Sequence, residues 1–255
     1  MPMLDVNGVN IYFTSKGNGT PIVFIHPPVL TSVNFMYQLK ELSKHFQVIT
    51  FDIRGHGKSQ YSKKPITYKL IVEDILQILD HLGIKKAYIC GYSTGGSIVL
   101  EFLLTAAERA LGGIVISGMS EVSDIILKNE ISLAVKLAKA RMVSTIACGT
   151  SLTNSNNQQL FKKMFTEAKK GDHRNVEQYY RYSMQYNCTS RLKDIHLPVK
   201  LIYGQKNKQF HPYAKIMHQN LPNNSLTFIK KQRHYLPTKA SNELNKLIYQ
   251  FINNY

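Results

Sequence analysis

No stretch limits this chain more than Gly91-Tyr92-Ser93-Thr94-Gly95-Gly96. A continuous apolar run, Ala87-Tyr88-Ile89-Cys90, leads into it, and apolar residues at helical spacing (Ile98, Val99, Phe102, Leu103) follow. A strand that turns straight into a helix strains the residue at the apex, so its neighbours must be small. Gly91 and Gly95 supply that room, and Gly96 lets the helix start close to the strand layer. Ser93 then stands at a helix start, where free N–H groups and the helix dipole favour a developing negative charge. With a strand before it and a helix after it, G-x-S-x-G reads as the elbow of a nucleophilic serine rather than as an ordinary glycine-rich turn.

The rest of the chain supplies a frame for that elbow. Val9-Asn10-Ile11-Tyr12-Phe13 alternates as a strand does, after a turn at Asn7-Gly8. Further runs are continuously apolar: 21–26, 48–51, 87–90, 113–116 and 199–203. Such runs mark strands buried on both faces of a parallel sheet. Helical patterns separate them, at 34–45 and most clearly at 67–82, where Ile71, Ile75, Ile78 and Leu82 form one stripe and Gly83 a stop. Alternating strands and helices predict an α/β fold with a doubly wound, mostly parallel sheet of about eight strands. The alternation breaks between 119 and 197, where helical stretches near 122–141, 157–170 and 174–186 follow one another. This segment is expected to be a helical cap inserted into a core made of 1–118 and 198–255. Its many aromatic and methionine side chains, Phe161, Met164, Phe165, Tyr179, Tyr180, Tyr182, Met184 and Tyr186, should mostly hold the cap together, with the remainder lining an apolar pocket. Beyond the cap, 211–220 reads as a helix, 226–229 as the last strand and 239–251 as the closing helix.

Composition excludes several classes. No apolar stretch approaches the ~20 residues a membrane-spanning helix needs, so no membrane insertion is expected. The start, Met1-Pro2-Met3-Leu4-Asp5, has neither the basic nor the apolar region of a signal peptide. Cys90, Cys148 and Cys188 are scattered with no metal-binding spacing, which predicts reduced thiols in a cytoplasm and no metal. No glycine-rich nucleotide or phosphate motif occurs, so no cofactor is expected. The formal net charge is +16, and residues 198–255 alone carry nine basic side chains against one acidic. The lysines come singly or in pairs rather than in a dense stripe, which argues against a nucleic-acid reader. A solvated basic surface and an attraction toward anionic substrates or acidic surfaces both stay open. Nothing in the sequence sets an oligomeric state.

The order of elements and the motifs resemble the α/β-hydrolase superfamily over essentially the whole chain. Besides the elbow, Asp52-Ile53-Arg54-Gly55-His56-Gly57-Lys58-Ser59 is similar to the family's D-x-R-G-x-G-x-S turn. There Asp52 and Arg54 are read as pinning a turn and His56 as a packing residue. The resemblance implies a nucleophile, then an acid, then a histidine after the last strand. His234 holds that last position, whereas His26, His45, His81, His173, His196, His211 and His218 fall in strands, helices or earlier loops. His234 would take the Ser93 proton and return it to the leaving group. At the acid position the family pattern has Asp, and this chain reads Gly204-Gln205-Lys206-Asn207. Three readings follow: Asn207 as a neutral orienter, Glu121 or Asp124 as a carboxylate from after the sixth strand, or a degenerate site. The oxyanion hole departs too. Thr94 N–H is one implied donor, but the other falls on Pro28 of His26-Pro27-Pro28-Val29, which has no N–H, so Val29 is the next candidate.

The expectation is a metal-free serine hydrolase acting on a small or medium carboxylic ester, lactone or thioester, a small-molecule acyl substrate. The departures at 207 and 28 motivate a rival, a weakly catalytic or non-catalytic protein that binds a ligand or signalling partner through its cap. A cofactor-free perhydrolase or carbon–carbon bond hydrolase would use the same residues.

Overall fold

The runs without alternation become strands whose successive side chains serve opposite faces. In a computed structural model, which describes residues 3–254, the strands are β1 (Met3–Val6), β2 (Val9–Lys16), β3 (Pro21–Ile25), β4 (Gln47–Phe51), β5 (Ala87–Tyr92), β6 (Ala110–Ile116), β7 (Val199–Gly204) and β8 (Asn224–Ile229). They form one eight-stranded sheet in the order β1-β2-β4-β3-β5-β6-β7-β8. β1 and β2 run antiparallel to their neighbours and all other pairs are parallel. Met1 and Pro2, on which part of the signal-peptide reading rests, lie outside the described residues.

The helices are α1 (Met36–Leu42), α2 (Tyr68–His81), α3 (Thr94–Thr105), α4 (Ile125–Lys139), α5 (Val143–Asn154), α6 (Gln158–Ala168), α7 (His173–Gln185), α8 (His211–Asn220), α9 (Leu236–Lys239) and α10 (Ser241–Asn253). They divide between the two faces. Val23 and Ile25 of β3 pack with Ile71 and Ile75 of α2 and Ile98 and Phe102 of α3. The alternate residues Ile22 and Phe24 face the other way, toward Leu42 of α1 and Leu244, Ile248 and Phe251 of α10. That double cover is why β3 shows no polar alternation. Thr67 caps α2 by accepting from Leu70 N–H at 3.1 Å, and Gly83 stops it at a φ of +68°.

The turn after β4 works as read in part. Buried Asp52 accepts from Ser32 N–H at 2.8 Å and Lys58 N–H at 3.0 Å, so it does pin that turn. Arg54 does something else: it reaches α2 and forms a buried ion pair with Asp74, while also donating to Val6 C=O at 3.0 Å. It therefore ties β1, the turn and α2 together. His56 is a packing residue, its ring against those of His26 and Tyr179.

Four helices, α4 to α7, stand between β6 and β7. An isolated antiparallel bridge, Glu121 with Asn187, closes the base of this insertion. α5 is the helix the sequence hides: Val-Ser-Thr-Ile-Ala-Cys-Gly-Thr-Ser-Leu-Thr-Asn is rich in β-branched and small polar residues of low helix propensity. Cys90 and Cys188 are buried and Cys148 is exposed, all three unpaired. Among the described residues no helix is long and apolar enough to cross a membrane.

Candidate active site

Ser93 sits between β5 and α3 with φ +56° and ψ −123°, a backbone that L-residues rarely adopt. The glycines around it are compelled by contact. A Cβ on Gly91 would lie 2.1 Å from Gly95 C=O, and one on Gly95 would lie 2.3 Å from Ile25 C=O. A Cβ on Gly96 would press on Val115 at 2.9 Å, so α3 does start hard against the sheet. Ser93 N–H donates to Ile116 C=O at 2.8 Å, which anchors the strained residue to β6.

His234 reaches the serine from the loop between β8 and α9. Its Nε2 lies 3.2 Å from Ser93 Oγ, and its Nδ1 lies 3.0 Å from the Asn207 carboxamide nitrogen. The ring is packed against Phe210 and Tyr92, with centroids 4.4 and 5.2 Å away. Gly204 makes this meeting possible. A Cβ there would fall 2.0 Å from Arg233 C=O, so only glycine lets the His234 loop cross the end of β7. Lys206 N–H donates to Gln232 C=O at 2.7 Å and fastens the two loops. In the sequence Gly204 is visible only as part of a motif. Its role needs the β7–β8 pairing, Gly204 opposite Ile229, to come into view.

Electrostatically the site is neutral where the family pattern is anionic. Burial lowers the His234 pKa from 6.5 to about 4, and no carboxylate beside it lifts the value back. Asn207 also leaves the ring tautomer open. With its amide N–H on Nδ1, the imidazole proton belongs on Nε2 and points at Ser93 Oγ, the wrong way for a base. With the carboxamide turned over, its oxygen accepts from Nδ1–H and Nε2 becomes free to take the serine proton.

The structure does not bring the alternative acids to His234. Glu121 accepts from Asn187 Nδ2 at 2.7 Å and Thr189 Oγ1 at 2.9 Å, at the base of the insertion. Asp124 caps α4, accepting from Leu127 N–H at 2.7 Å, and also accepts from Gln209 Nε2 at 2.9 Å. Each is committed to holding the insertion in place.

Thr94 opens α3, where the first N–H groups have no intrahelical acceptor. Val29 is fully buried, and its side chain turns away into a cluster with Ala138, Val143 and Ala147. Its φ is +64°, strained for a β-branched residue, and its N–H forms no hydrogen bond among the described residues. The loop holding it is fixed through His26. Nε2 of His26 accepts from Ile53 N–H at 2.9 Å, which leaves the proton on Nδ1 to donate to Pro27 C=O at 2.9 Å. Tyr179 on α7 donates to His26 C=O at 2.9 Å.

Ser93 and His234 open into a cavity of about 600 Å³, a size that suits a small or medium ligand. Pro27, Pro28 and Leu30 form one wall, Leu127 and Ile131 of α4 another, and the loops around Asn207 and His234 a third. Of the aromatics singled out in the insertion, Tyr180 lines this cavity. Tyr179, Tyr182 and Tyr186 instead pack around Tyr68, and Phe161 stacks on Phe165. Among the described residues no cluster of His, Cys, Asp and Glu has metal-binding geometry.

A family model of the alpha/beta hydrolase fold matches residues 20–143, the span that carries β3, the Asp52 turn and the elbow. Together with the sheet order and the elbow, it gives the chain the α/β-hydrolase fold. The chain is similar to the AB hydrolase superfamily protein YisY of Bacillus subtilis, 31% identical over 96 residues, 37% of this chain and 36% of that protein. It is also similar to 3-oxoadipate enol-lactonase 1 of Acinetobacter baylyi, 34% identical over 101 residues, 40% of this chain and 38% of that protein. The matches thus span well under half the length of these two relatives. Among solved structures, an esterase from Exiguobacterium antarcticum superposes with a TM-score of 0.87 at 19% identity, covering 97% of both chains. At that identity the likeness is one of fold.

Proposed function

We propose that this chain is a serine hydrolase that cleaves a small or medium carboxylic ester, lactone or thioester through an acyl-enzyme on Ser93. The observation that carries the reading is the 3.2 Å approach of His234 Nε2 to Ser93 Oγ at the floor of a cavity. His234 takes the hydroxyl proton as Ser93 Oγ bonds to the substrate carbonyl carbon. Thr94 and Val29 N–H groups receive the oxyanion. The tetrahedral adduct then collapses, the leaving group collects the proton from His234, and water clears the acyl group by the same steps in reverse order. Asn207 orients the imidazole, and α4 to α7 act as a cap that shapes the acyl and alcohol sites. A relative named as an enol-lactonase supports the reaction class. Unpaired cysteines fit a reducing cytoplasm.

The neutral Asn207 and the missing N–H at Pro28 favour a second reading, a ligand-binding protein with little or no turnover. A fluorophosphonate probe separates the two. Labelling of the wild type that vanishes in Ser93→Ala supports the hydrolase. A wild type that neither labels nor turns over any acyl ester, yet is stabilised by a ligand equally with and without Ser93, supports the binder.

A further inference from the structure

The excess positive charge of the last quarter of the chain is not scattered evenly: part of it converges on the Ser93 cavity. Lys206 and Lys208 flank Asn207 on the loop after β7, and Arg233 precedes His234 on the loop after β8. All three line the cavity and all three are exposed. None is in an ion pair or a side-chain hydrogen bond among the described residues, unlike Arg174, Arg181 and Lys170 on the insertion, which are matched by Asp172, Glu177 and Glu167. The loop pairing that delivers His234 therefore also brings three unmatched cations to one wall. Across the cavity the lining holds a single carboxylate, Glu130 of α4, which leaves the lining with an excess of positive charge.

We infer that Lys206, Lys208 and Arg233 form an anion-selecting rim, so that the substrate is an acyl compound bearing a carboxylate or similar anionic group remote from the bond that is cleaved. This rests on the hydrolase reading and deepens it. The physical basis is a cleft with low-dielectric walls and charges of one sign, which concentrates an oppositely charged ligand and raises its capture rate by about 10-fold to 10³-fold. The apolar walls from Leu127, Ile131 and Leu30 would take the uncharged part of the molecule.

Two matched ester pairs test this. Mono-p-nitrophenyl adipate is compared with p-nitrophenyl hexanoate, which puts the charge on the acyl side. The hexanoate ester of 3-hydroxybenzoate is compared with phenyl hexanoate, which puts it on the alcohol side. The expected result is a kcat/KM at least about 10-fold higher for the anionic member of at least one pair at low ionic strength. The advantage should collapse near 1 M salt, where the Debye length is about 3 Å. In Lys206→Gln/Lys208→Gln/Arg233→Gln the ratio within that pair should fall toward one; taking the ratio inside each protein removes any general loss from altered folding. A wild-type ratio near or below one in both pairs, or a ratio the triple variant leaves intact, overturns the inference while hydrolysis of the neutral esters leaves the hydrolase reading standing. If no ester is cleaved, the hydrolase reading fails. The rim is then judged by whether adipate raises the melting temperature more than 1-hexanol does, in the wild type and not in the triple variant; equal shifts overturn it.

Discussion

Asn207 stands 3.0 Å from Nδ1 of His234, holding the imidazole from the side on which a carboxylate would lock its tautomer and stabilise its cation. A carboxamide does the first only in one of its two orientations and the second not at all. Residue 207 thus touches the imidazole but brings no charge to it.

Asn207→Asp should therefore be a gain-of-function change. Replacing the acid of a serine triad by its amide costs about 10⁴ in turnover, so the reverse change should raise kcat by a sizeable part of that factor. It should also move the pH profile. With the folded-state pKa of His234 lowered to about 4, its imidazole is unprotonated at any pH above that, and under the proposed mechanism activity should persist well into the acid range. A carboxylate at 207 lifts that pKa, so the variant should lose activity on acidification earlier than the wild type. Profiles of kcat/KM against pH read both effects, and an Asn207→Asp variant with unchanged rate and unchanged acid limb contradicts the assignment.

Gly204→Ala should disable the site from a distance. Its Cβ would collide with Arg233 C=O at 2.0 Å, backbone against backbone, so the His234 loop has to move. A displacement near 1 Å at a catalytic base costs about 10² in rate. Overpacking at one position costs about 1–3 kcal/mol. Kinetics at a temperature well below melting distinguish the two, because the rate loss should exceed what the fraction unfolded explains. Full activity in Gly204→Ala would mean that the two loops are not held together as described.

His56 should make the protein sensitive to acid. Burial lowers its folded-state pKa to about 3, whereas in the unfolded chain it lies near 6.5. Its contribution is therefore fully present above the unfolded value and is lost as pH falls through the window between the two. There the unfolded state binds a proton that the folded state refuses. The slope is up to about 1.4 kcal/mol per pH unit for one group. His56→Phe keeps a ring against His26 and Tyr179 but cannot titrate, so denaturant unfolding at pH 7 and pH 4.5 should show a smaller difference than in the wild type. An identical difference would place the acid sensitivity elsewhere, His26 being the next candidate, since its pKa is lowered to about 4.

Much of this is legible from local pattern. Ser93 can be found because strand, glycines and helix are contiguous, and His234 because the family resemblance puts a histidine after the last strand and the strands can be counted. Features that require two distant segments are not legible. Arg54 reads as a turn residue until α2 brings Asp74 under it. Asp124 reads as an available acid until its Oδ1 is found capping α4 and accepting from Gln209. α5 carries no helical signature because neighbours, rather than propensity, hold it: Val143 and Ala147 are buried in the cluster that also takes Val29. β1 escapes notice because four residues on an antiparallel edge, half of them exposed, leave little periodicity to read.

The bridge between Glu121 and Asn187 has a consequence for how such a molecule changes over generations. The whole run of helices departs from and returns to the scaffold through a doorway one residue pair wide. Whatever hangs on that doorway also reaches back to the scaffold, since Tyr179 holds His26 C=O and Ala138, Val143 and Ala147 pack on Val29. A change in those helices is therefore felt in the loop beside Ser93 as well as in the shape of the cavity above it.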